Sequence, residues 1–120
     1  MLSRAALNGF CKGLPQSTHV VQWGDADVWK IGGKVFAVIG WKDDAPAVSI
    51  KVSDLAWEVL GDMPGVRPAP YLASRGMKWM QIYDSTGLPE REIEAHIAAS
   101  YDMVVLKLTK KLRAELGLPP

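Results

Sequence analysis

An α+β fold, with an antiparallel sheet of four to five strands and helices packed on one face, is predicted by three features of the 120-residue chain. Two β-branched and aromatic runs, Val28 to Ile31 and Lys34 to Ile39, flank Gly32-Gly33, and a third run, Ala47 to Val52, follows a short polar break. Paired glycines supply the positive φ angles of a type I′ turn at no steric cost, so this stretch reads as a hairpin extended by one more strand. After Val52 the apolar period changes from 2 to 3.6, the mark of a helix. The element order expected along the chain is α-β-β-β-β-α-β-α, within a single domain spanning 1–120.

The pleat assigns side chains to faces. A turn pivoting on Gly32-Gly33 sets Ile31 opposite Lys34, Lys30 opposite Val35 and Trp29 opposite Phe36. The inner face is then Trp29, Ile31, Phe36 and Val38, joined by Val48, Ile50 and Val52 if the link Lys42 to Pro46 has five residues. A four-residue link would bury Lys51, which is costly without a partner. The outer face carries Val28, Lys30, Val35, Ala37, Ile39, Trp41, Ala47, Ser49 and Lys51: apolar, punctuated by two lysines.

Taken in order, Ser3 is the N-cap of a first helix with Leu7, Phe10, Cys11 and Leu14 on one side, ended by Gly13 and Pro15. Thr18 to Trp23 is β-rich, and Gly24 to Asp27 turns into the hairpin. Trp23-Gly24 reads as a ring packed over the sheet edge beside a bend, with recognition as the alternative. Ser53 caps a short helix, Asp54 to Asp62, whose expected buried side is Leu55, Ala56, Val59 and Leu60. Met63 to Tyr71 holds three prolines and a glycine and is expected to be a stiff basic loop. Tyr71 to Gly76 is expected to form at most a helical turn. Trp79 to Asp84 is a strand with Met80 and Ile82 on one side. Pro89 opens the last helix, whose stripe runs Ile93, Ile97, Tyr101, Val104, Val105, Leu108, Leu112 and Leu116. Glu90 to Leu116 would span about 40 Å as one rod, so a break or a projecting end is expected.

Composition bounds the function. Hydrophobic content of 48% and charged content of 22% are those of a globular protein that buries a core. The lone Cys11, among Leu7, Phe10 and Leu14, reads as a buried apolar residue and fits a reducing compartment. No run reaches the length of a membrane span, and Met1 to Arg4 lacks a signal-peptide pattern, so a cytoplasmic protein is expected. None of the common catalytic motifs occurs. His19 and His96 fall on different elements without cysteine partners. The expectation is therefore no enzyme, no metal and no cofactor. The net charge of +1 means that any polyanion site is local; Met63 to Tyr83 contains Arg67, Arg75 and Lys78 with no acid. The basic cluster Lys107 to Arg113 is accounted for by the dipole of the last helix.

Trp23-Gly24, the hairpin Trp29 to Ala37, Ser49-Ile50-Lys51-Val52, Pro64-Gly65-Val66-Arg67-Pro68, Tyr71-Leu72, Lys78-Trp79 and Ser100-Tyr101 occur in an order that resembles the MmcQ/YjbR family of small bacterial proteins, from about Ser3 to Leu108. The resemblance implies a two-layer α/β domain likened to the double-wing DNA-binding or secretion-chaperone arrangement. It implies a DNA-binding role, with Lys30, Lys34, Lys51, Lys78 and Trp79 as functional positions. Gly76-Met77-Lys78 departs from the more basic segment that relatives often carry there.

Three functions remain open to test. The first is a nucleic-acid-binding module using Lys30, Lys34, Lys51, Arg67, Arg75 and Lys78, with Trp79 stacking on bases, its binding weak and largely non-specific. The second is a protein-interaction domain or homodimer using the apolar outer face at Val35, Ile39 and Trp41. The third is a small-ligand pocket lined by tryptophans.

Overall fold

Gly32 and Gly33 have φ angles of 59° and 81°, and they join β2 (Ala26–Ile31) to β3 (Lys34–Ile39) as the hairpin requires. Gly32 also lies against the Leu108 side chain, where a Cβ would meet its methyl carbons at 2.8 Å. This computed structural model describes residues 3–40, 46–70, 78–84 and 88–118. Trp41, Arg75 and the expected turn at Tyr71 to Gly76 lie outside the described residues.

Among the described residues the element order is α1 (Arg4–Lys12), β1 (Thr18–Gln22), β2, β3, β4 (Val48–Lys51), α2 (Asp54–Leu60), β5 (Val66–Pro68), β6 (Trp79–Ile82), α3 (Glu90–Lys107) and α4 (Lys110–Glu115). One antiparallel sheet takes all six strands in the order β1-β2-β3-β4-β6-β5, an α+β fold. Ser3 and Ser53 cap α1 and α2, each accepting at 3.1 Å from the amide three residues on. Leu108 breaks the long amphipathic run, with ψ of 150°, and Thr109 caps α4.

β5 is a correction, because a strand stands where a Pro-rich loop was expected. Arg67 pairs with Gln81 and Pro68 with Met80. The strand is at the sheet edge, where a missing proline N–H leaves no ladder bond unmade.

The faces are a second correction. Ile31 pairs with Lys34 and Lys30 with Val35 as expected, but Trp29 pairs with Ala37. Phe36 is thus the extra residue of a β-bulge, and everything beyond it changes face. Ala37 and Ile39 join the main core with Trp29, Ile31, Val48, Ile50 and Val52, while Val38 crosses to the outer face with Ala26, Val28 and Val35. Ile39, fully buried in the main core, is not part of an outer interaction patch. On α2 the face is also rotated: Leu55 and Val59 are 74% and 61% exposed, and Ala56, Trp57 and Leu60 pack inward. Cys11 is fully buried, and desolvation pushes its thiol up to about 12.

Candidate functional site

The β3–β4 ladder runs from Ile39↔Val48 to Ala37↔Ile50 and stops there. Phe36 and Lys51, the residues that would continue it, are bridged by the α3 side chain Ser100. Its hydroxyl donates to the Phe36 carbonyl at 2.7 Å and accepts from the Lys51 amide at 3.0 Å. A helix side chain thus completes the ladder, satisfying groups that would be costly to bury unpaired. Next to this junction is a cleft of about 480 Å³, lined by Lys34 and Val35 of β3, Lys51, Trp79, Val104 and Lys107 of α3, and Trp23.

Four sequence-nominated residues, Lys34, Val35, Lys51 and Trp79, are therefore brought together. Lys30 sits beside them as the cross-strand partner of Val35. Among the described residues no acid lines the cleft, and Lys34, Lys51 and Lys107 form no ion pair. The cross-strand neighbours explain why: Lys34 faces Ile31 and Lys51 faces Trp79, neither of which offers a carboxylate.

Arg67 and Lys78 are engaged elsewhere. Arg67 Nε donates to Gln81 Oε1 at 2.7 Å, and its guanidinium lies 5.0 Å from the Tyr83 ring centre. Lys78 Nζ is 3.5 Å from Asp54 Oδ1 and 5.6 Å from the Trp57 ring centre. Trp79 is 4% exposed, so its ring faces are not offered to a base. Its Nε1 and the nearby Ser49 Oγ are shielded from solvent without a hydrogen-bond partner, a condition that costs about 1–3 kcal/mol per group.

Trp23, rather than Trp79, presents a ring at the cleft wall, 49% exposed. It opens a run of three left-handed residues, with φ of 54°, 77° and 65° at Trp23, Gly24 and Asp25. A bulky residue there is a steric outlier costing on the order of 1–3 kcal/mol, and such outliers gather at functional sites. The Trp-Gly pair was its sequence signal. Lys107 was hidden, because a helix C-terminus accounts for a lysine without any site.

A polar cluster at the α1 end went unforeseen. Asp27 Oδ2 accepts from Arg4 Nε at 2.7 Å and Asn8 Nδ2 at 3.0 Å, while His19 Nε2 lies 2.7 Å from Oδ1. Asn8 Oδ1 in turn accepts from Trp29 Nε1 at 2.8 Å, and the His19 and Trp29 rings are 4.7 Å apart. Burial alone would raise the Asp27 carboxyl, but the hydrogen bonds from Asn8, Arg4 and His19 hold it at about 2. With both oxygens occupied, this carboxylate ties α1 to the β1–β2 hairpin. Among the described residues no three metal-ligating side chains group together, and no helix is long and apolar enough to cross a membrane.

The family model described as YjbR matches residues 12–103. A crystal structure of Deinococcus radiodurans protein DR2400, with a DUF419 family-model domain, is similar to this chain with a TM-score of 0.81 and 24% identity, over 99% of this chain and 91% of that one. That likeness is one of fold. No curated protein matches the chain.

Proposed function

The chain belongs to the YjbR family, and we propose that it is a non-enzymatic cytoplasmic module that binds single-stranded segments of DNA weakly and with little sequence preference. The observation that carries this reading is the grouping of Lys34, Lys51 and Lys107 around a cleft; among the described residues none of the three is ion-paired and no acid lines the wall. Lysine contacts to phosphate release condensed counterions whatever the base sequence. Trp23 on the same wall supplies an exposed ring on which a base stacks. A concave cleft of about 480 Å³ suits a single strand better than the stiff rod of a duplex. The lone buried thiol of Cys11 is in keeping with a cytoplasmic setting.

Three contacts predict a slope of about −2 for log affinity against log salt on single strands, and a dissociation constant on the order of micromolar or weaker at physiological salt. Anisotropy titrations of a labelled oligothymidine at several salt concentrations test this. The Trp23→Ala variant is expected to lose about 1–3 kcal/mol of single-strand affinity. Absence of binding at low salt, or binding with no salt dependence, overturns the reading.

The alternative, a protein-interaction domain, is favoured by one observation: Leu55 and Val59, one turn apart on α2, are both strongly exposed. It no longer rests on Ile39, which lies in the main core; Val35 keeps its place on the outer face, and Trp41 lies outside the described residues.

A further inference from the structure

A second concavity, of about 570 Å³, lies where the loop after α1 meets α3 and the end of α4. Its frame is fixed by the backbone. The Tyr101 hydroxyl donates to the Pro15 carbonyl and holds that loop to α3. Thr109 Oγ1 accepts from the Leu112 amide at 3.1 Å to start α4. At the other end of α4, Gly117 has φ of 71°, and the Leu118 amide donates to the Arg113 carbonyl at 2.9 Å. This six-to-one closure is a Schellman motif, and it folds Leu118 back into the core.

The walls are mostly apolar, with Leu14, Val105 and Leu118 among them and Leu106, 71% exposed, at the surface. Among the described residues Arg113 is the cation of the cavity. Its Nε is shielded from solvent and meets no hydrogen-bond acceptor, and among the described residues its guanidinium forms no ion pair. Arginine cannot relieve that state by losing its proton. Its planar donor fork matches a carboxylate through two parallel hydrogen bonds. Asp102 also lines the cavity without pairing to Arg113, so a second negative charge on an occupant would be opposed.

We propose that this cavity binds a small amphipathic monocarboxylate, its carboxylate on Arg113 and its apolar tail against Leu14, Val105 and Leu118. The site is separate from the lysine cleft and does not depend on nucleic-acid binding. Octanoate, 1-octanol and octyl phosphate, titrated into the full-length isotope-labelled chain and followed by amide chemical shifts, distinguish its parts. Octanoate is expected to move the amides of Tyr101 to Leu106 and Arg113 to Leu118 saturably. Octanol should bind at least tenfold more weakly, and octyl phosphate more weakly than octanoate. Arg113→Gln should weaken octanoate at least tenfold with octanol unchanged, and Asp102→Asn should narrow the difference between octyl phosphate and octanoate. Asp102 is exposed, so that variant keeps the fold and keeps the test alive if the Arg113 change disturbs α4. Equal binding of octanol and octanoate, shifts centred on Lys34 and Lys51, or no shift at all each overturn the proposal.

Discussion

Arg67 and Lys78 are engaged within the chain, the first by Gln81 and Tyr83, the second by Asp54 and Trp57. Lys34, Lys51 and Lys107 gather at a cleft where, among the described residues, no carboxylate answers them. In the sequence these residues are interchangeable units of positive charge. For the strand residues, what separates them is the neighbour that pairing supplies: Gln81 stands directly opposite Arg67, whereas Trp79 stands opposite Lys51 and Ile31 opposite Lys34. Lys78 finds its partners on α2 instead. A lysine counted in a composition becomes available to a ligand only where the fold gives it no partner.

The comparison breaks most readily at the packing that shapes the cleft. Phe36, the bulged residue, is fully buried and meets the Tyr101 ring edge-on at 5.4 Å. Phe36→Ala should cost about 3–5 kcal/mol in urea melts; a loss below about 1 kcal/mol would mean that the bulge does not anchor the core. Next is the third engaged cation, Arg4, with its carboxylate Asp27. Because the Asp27 carboxyl is held at about 2, below its ordinary 3.8, its stabilisation of about 2 kcal/mol is present above pH 4 and lost as pH falls towards 2. Melts at pH 6, 4 and 2.5 should show that loss, and Asp27→Asn should remove most of the acid-dependent difference. Ser100→Ala leaves the Phe36 carbonyl and the Lys51 amide without their shared hydroxyl, for an expected cost of about 1–3 kcal/mol. Binding should weaken with it, since Lys51 is no longer held at the cleft. The smallest effect is expected at Lys78, whose partner Asp54 has a side chain 90% exposed; Lys78→Ala should change stability by less than about 1 kcal/mol.

The hairpin, the caps at Ser3 and Ser53, and the need for either a break or a projecting end in the last helical run were legible because each depends on local chemistry: paired glycines, a serine hydroxyl, a run too long for one rod. That the break falls at Leu108 was not. The bulge was not. Phe36 has no feature that distinguishes a bulged from a paired residue, so a perfect alternation put Val38 inside and Ile39 outside, the reverse of what occurs. β5 was hidden by Pro68 and the flanking Pro64 and Pro70; an edge strand tolerates the proline within it. Of the candidate site, Lys51 and Val35 were found from strand periodicity, and Lys34 through the family resemblance. Trp79 was found but assigned an exposed role that its burial denies. Lys107 comes from the far end of the chain, and only the tertiary packing of α3 brings it to the cleft.

The most direct measurement compares two double variants by salt-dependent anisotropy on the same single-stranded oligonucleotide. Lys34→Ala with Lys51→Ala should flatten the log–log slope by more than one unit, each phosphate contact contributing about 0.7. Arg67→Ala with Lys78→Ala should flatten it by less than about 0.3 on the same scale. Equal flattening, or a larger effect from the Arg67 and Lys78 pair, would contradict the claim that the unpaired lysines of the cleft form the binding site.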